Sequence, residues 1–258
     1  MRVSAFFTPF FVVLAGITGF YLRISERLNV FDPITGLPGR SAETTIWLFT
    51  LTCVFFIVLV VFAINASMNH KAVQGFENAF GTDPFYYPIL FVIIGILWVV
   101  GSYMHYSYLR NNNILTSIDI VFVVFSAISA ISVTFFAIEM FQDSRRKAPY
   151  MLSVVPTLFM CFWLILMYRQ NASNPVLLSY IYQCFAIIAA ALSFYFTSGF
   201  LYGKPAPGKS IVAYYTSIYF CLVTLADGHP AGMNILFISL IFVNIIHSSM
   251  LLMNLRKR

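Results

Sequence analysis

Apolar runs long enough to cross a lipid bilayer recur along this chain, near residues 4–22, 45–66, 86–108, 114–140, 150–168, 177–200, 210–226 and 231–253. A spanning helix needs ~20 apolar residues, and in hydrocarbon a single segment satisfies its backbone polar groups only as a helix. The pattern predicts an all-α fold, a polytopic transmembrane helix bundle of about eight spans built from helical hairpins, forming one integral membrane domain over residues 1–258. Hydrophobic residues make up 60% of the chain and charged residues 9%, so a water-soluble fold of this length has no way to hide the apolar surface. The first run ends in polar sequence without a small-residue cleavage site, and is read as a retained span.

Polar, Gly- and Pro-bearing separators punctuate the runs, among them RNNN, DSRRK, RQNASNP, YGKPAPGK and DGHP. DGHP is short enough to force the last two helices into a tight antiparallel hairpin. Between 69 and 83, the spacing of Val73, Phe76 and Phe80 suits a short amphipathic helix on the membrane surface, with an ordinary loop as the alternative. Shifted by 61 residues, Asn113, Ala130, Ser132 and Phe135 meet Asn174, Ala191, Ser193 and Phe196, a weak echo between two hairpins.

With the N-terminus inside, ten basic residues fall on the inner side: Arg2, Lys71, Arg145, Arg146, Lys147, Lys204, Lys209, Arg256, Lys257 and Arg258. Five fall outside: Arg23, Arg27, Arg40, Arg110 and Arg169. The excess predicts a cell (cytoplasmic) membrane protein with both termini cytoplasmic, although the arginines of the first outer loop run against the rule. The net charge of +6 sits at helix ends, which suits anionic lipids at the cytoplasmic face and not nucleic acid. Expected partners are the lipid bilayer and either a second copy or another membrane protein.

Ionisable groups in hydrocarbon are costly enough that each is a functional candidate. His105, Arg110, Asp119, Arg169, Asp227 and His229 all fall in the outer third of this topology. They define a candidate outer polar site, against which stands an ordinary interfacial belt of charges and tyrosines. Asp119 is open to two readings, a binding carboxylate or a cap at a helix start beside Thr116 and Ser117. Glu139 is explained by the nearby Arg145, Arg146 and Lys147. Asn244, His247 and Ser248 form a candidate interhelical polar patch.

No cofactor is expected. A bis-histidine haem requires two imidazoles at one depth, whereas His105 and His247 differ by roughly 20 Å of helix rise. Cys53, Cys161, Cys184 and Cys221 lack metal-ligand spacing and are read as packing residues. No HExxH, GxSxG or phosphate-loop motif occurs, so the chain is read as a non-enzyme.

The run CFWLILMYRQNASNPVLLSYIYQCFAIIAAALSFYFTSGFLYGKPAPGKS, followed by FCLVTLADGHP, resembles a pattern in uncharacterised multi-spanning membrane proteins of Clostridia-type Firmicutes. The resemblance covers the C-terminal half, implies a bacterial cytoplasmic membrane, and transfers no functional residues. Three functions remain open. The first is a non-catalytic scaffold, anchor or sensor subunit associating with itself or another membrane protein. The second is a small-molecule or ion transporter with an outward-opening polar site. The third is a lipid-modifying membrane enzyme using Asp119 and the outer histidines.

Overall fold

The computed structural model describes residues 2–32, 37, 39, 43–71, 75–81, 86–141 and 150–257. Its helices are α1 (Arg2–Asn29), α2 (Glu43–Asn69), α3 (Phe76–Phe80), α4 (Tyr86–Asn111), α5 (Ser117–Phe141), α6 (Val155–Asn171), α7 (Ile181–Leu201), α8 (Pro207–Thr224) and α9 (Ala231–Asn254). All but the five-residue α3 are long and apolar enough to cross a membrane, which gives eight spans. The protein is an all-α polytopic membrane bundle.

The spans differ sharply in burial. The last two bury 72% and 78% of their spanning residues, the second only 17%, so α8 and α9 form the centre and α2 faces lipid with Trp47, Phe49, Ile57 and Val61 exposed. Sequence explains the centre. Ser210, Ser217 and Thr224 recur every seven residues along α8 and are fully buried, and small side chains let neighbouring backbones approach. A close backbone approach joins α4 to α9, where a Cβ added to Gly232 would meet the His105 backbone N and lie 2.6 Å from the Gly101 carbonyl oxygen. Lipid offers no water to hydroxyls on the spans, and many of them donate to the carbonyl four residues back, as Ser102 does to Trp98 and Ser239 to Ile235.

An aromatic layer crosses the middle of the bundle. Trp163 stacks on Phe237 with centroids 5.1 Å apart, Phe122 packs edge-on against Trp163 at 5.5 Å, and Trp98 lies 6.2 Å from Phe159. The Trp98 indole N–H is satisfied by the Ser126 hydroxyl at 2.9 Å.

Even span number puts both termini on one face. There His70–Lys71 pairs antiparallel with Arg256–Lys257, and the Asn254 amide donates to the Ala79 and Gly81 carbonyls. The α3 segment tucks into this face instead of lying on the membrane surface: Phe80 is fully buried against Phe200 and His247. Its aromatic spacing is satisfied by the bundle, not by lipid. Val73, Arg40, Asp143, Arg145, Arg146, Lys147 and the Glu139 side chain lie outside the described residues.

The first helix departs most from its sequence boundary. It continues to Asn29, well past residue 22, because its next charges are neutralised inside the bundle. Arg23 and Glu26, three residues apart on one helix face, are 1% and 0% exposed and bridged at 2.6 Å.

Candidate functional site

Three inter-helix turns on the face opposite the termini shape a cavity of about 480 Å³. The last two turns of α4 supply His105, Tyr108 and Leu109; the start of α5 and the residue before it supply Ile118, Asp119 and Thr116. The end of α6 gives Leu166, Arg169, Gln170 and Asn171, α7 gives Gln183, and the α8–α9 turn gives His229, Pro230 and Met233. Tyr108, Thr116, Arg169 and Gln170 are exposed and form a rim, whereas His105, Asp119 and Gln183 are buried below it.

Local chemistry fixes each group. Asn113 turns the chain with φ of 56°, a left-handed conformation that asparagine tolerates. Thr116 then precedes α5, and its backbone N–H and hydroxyl both donate to Asp119 Oδ2, at 2.9 and 2.6 Å. This is the reciprocal half of a capping box. The cap reading of Asp119 holds and uses one carboxylate oxygen; the same side chain lines the cavity.

The floor is apolar. The His105 ring packs edge-on against Phe122 at 5.7 Å and the His229 ring lies 5.7 Å from Phe237, both members of the aromatic layer. His105 Nδ1 and His229 Nε2 are buried without a hydrogen-bond partner among the described residues. Burial, reinforced by the Arg27 and Arg23 guanidiniums and by His105, pushes the His229 imidazole down to about 4, so it is neutral at pH 7.

Of the outer polar candidates, His105, Asp119, Arg169 and His229 share this cavity. Arg110 is exposed outside its lining, because its position on α4 turns it away from α9. Asp227 also lies outside the lining and accepts from Arg23 Nε at 2.6 Å. Around that bond lies a buried polar network that joins four parts of the fold. Arg23 donates to Glu26 and to the Leu178 and Ser179 carbonyls, Thr45 donates to Glu26, and the guanidinium sits 4.7 Å over the Tyr182 ring. Arg27 adds a bond to the Ala226 carbonyl at 2.7 Å.

The second candidate group does not form one network. Asn244 donates to Ser217 and the Leu240 carbonyl, and Ser248 to the Ile245 carbonyl. His247 is instead enclosed by Phe80, Phe91 and Tyr214. It borders a second, small cavity of about 30 Å³ with Ser153, Thr197 and Ser198, on the termini side of the aromatic layer. Among the described residues no three His, Cys, Asp or Glu side chains group as metal ligands, and the four cysteines are free thiols.

Fold and cavity together define an eight-span membrane bundle with a polar pocket in the face opposite its termini. No protein-family model, no curated protein and no solved structure matches the chain.

Proposed function

We propose that the protein is a non-catalytic ligand-binding subunit, a sensor that takes a small polar molecule from the face opposite its termini and presents its lipid-facing helices to a second copy or another membrane protein. One observation carries this reading: a cavity of ligand size, with charged and amide side chains set among apolar ones in its walls, stands over a closed aromatic floor. A closed floor suits recognition better than passage. The residues that shape the cavity also come from turns at the bundle's end, where occupancy can be read by a partner.

The protein is taken to lie in a bacterial cytoplasmic membrane with cytoplasmic termini. The basic-residue count supports that orientation, and the Arg23 ion pairs strengthen it: two of the three outer-loop arginines that oppose the count are engaged, Arg23 in the buried network and Arg27 on a backbone carbonyl.

The test is binding and uptake by protein in nanodiscs and proteoliposomes, against a panel of amino acids, amines, carboxylates and sugars. Thermal stabilisation by a panel member, abolished by the cavity-filling Gln183→Trp, without accumulation inside vesicles, is the expected result. Failure of every compound to bind sinks the reading. Saturable accumulation would favour transport, the second reading, which the small cavity beyond the aromatic layer supports: along α5, α6 and α9 the layer separates the two.

A further inference from the structure

We propose, building on that binding role, that the cavity takes a zwitterion, a molecule carrying an ammonium group and a carboxylate or phosphate a few ångströms apart. The cavity is lined by one carboxylate, Asp119, and one guanidinium, Arg169, and the two do not pair with each other. The ion pairs among the described residues are those of Arg23 with Glu26 and Asp227. Opposite charges sharing one cavity without joining leave room for a ligand that bridges them.

The depth of the two groups sets the ligand's direction. Asp119 is 7% exposed, and with Oδ2 committed to Thr116 its second oxygen makes no hydrogen bond among the described residues. A buried carboxylate without a counter-charge is costly, and a cation beside it removes the cost. Arg169 stands exposed on the rim. The ammonium end therefore enters first and the anionic end stays at the mouth, where a guanidinium binds carboxylate or phosphate through two parallel N–H donors. Between them Gln183, only 6% exposed, faces the cavity with its amide free of hydrogen bonds among the described residues, and His105 keeps Nδ1 unpartnered.

Single charges fit less well. A bare anion meets Asp119, an organic cation meets Arg169, and a metal ion lacks a cluster of three ligands among the described residues. A neutral pair of charges meets neither repulsion. Free amino acids have this chemistry, and so does the phosphoethanolamine headgroup of a lipid.

Dissociation constants should be measured in phosphatidylglycerol nanodiscs for L-alanine, L-glutamine and glycerophosphoethanolamine, beside the one-charge probes ethylamine and propionate. At least one zwitterion is expected to bind roughly tenfold or more tighter than either one-charge probe. Asp119→Asn, which can still cap α5, should cost that zwitterion a similar factor while propionate, relieved of repulsion, binds no more weakly than to wild type; Arg169→Gln should do the same with ethylamine as the probe that is not weakened. Binding of the amino acids, with no effect of phosphatidylethanolamine in the nanodisc, assigns a free ligand. Thermal stabilisation by phosphatidylethanolamine, with competition from glycerophosphoethanolamine, assigns a headgroup. If ethylamine or propionate binds as tightly as the zwitterions, the zwitterion proposal is overturned and the binding role stands. If no probe binds and phosphatidylethanolamine has no effect, both fall.

Discussion

Arg23 shows how one side chain can be both expensive and indispensable. Its guanidinium is 1% exposed, yet it meets two carboxylates, two carbonyls and an aromatic face. Removing one partner of a buried pair leaves a charge uncompensated, which costs about 3–5 kcal/mol. Arg23→Met should lower unfolding stability in a detergent titration by that order, because Glu26 and Asp227 are then left buried together. A change below about 1 kcal/mol would mean that the network contributes nothing net. His229 supplies a pH signature. Its folded pKa of about 4 lies below the roughly 6.5 of an unfolded histidine, so its contribution is complete above pH 6.5 and is lost as pH falls toward 4. Between those values the unfolded chain binds the extra proton. Wild type should therefore lose on the order of 2–3 kcal/mol more than His229→Asn across this window in melting experiments, and parallel profiles would contradict the assignment.

At the scale of elements, helix positions follow from apolar length, while helix ends follow from polar pairing that spacing only hints at. All spanning runs became helices because lipid allows a lone segment little else. The end of α1 was not legible from hydropathy: Arg23 and Glu26 look like a loop until Arg23 is seen to pair with both Glu26 and Asp227, the latter 204 residues away. The i, i+3 spacing of Arg23 and Glu26 was the available signal. Similarly, Phe76 and Phe80 advertised an amphipathic helix, but one-dimensional spacing does not say whether lipid or α9 covers the apolar side. Close packing gives the sharpest test here. Gly232→Ala places a methyl group against backbone atoms of α4, which cannot rotate away as a side chain would. It should push α4 from α9, cost about 1–3 kcal/mol and widen the cavity between His105 and His229. Unchanged stability and unchanged ligand binding would show that the crossing is looser than described.

For the whole molecule, the division of labour is between a core that is silent in charge and one end that is not. The outer polar residues were visible in the sequence, but which of them converge was not, because depth along a helix is legible and azimuth is not. His105, Asp119 and His229 turn inward; Arg110, near His105 in depth, turns out. Gln183 was missed because one amide in an apolar run carries no motif, although an uncharged polar residue near a span's start is itself a signal of a wet surface. The central claim is that water-soluble molecules reach this depth from the face opposite the termini while the layer below stays shut. Cysteine labelling tests it directly. In a cysteine-free background, Gln183→Cys should react with a membrane-impermeant thiosulfonate added on the side opposite a C-terminal tag, and be protected by bound ligand, while Ser217→Cys in the core stays unreactive. Labelling of position 183 only from the tagged side, or none from either, would contradict the account.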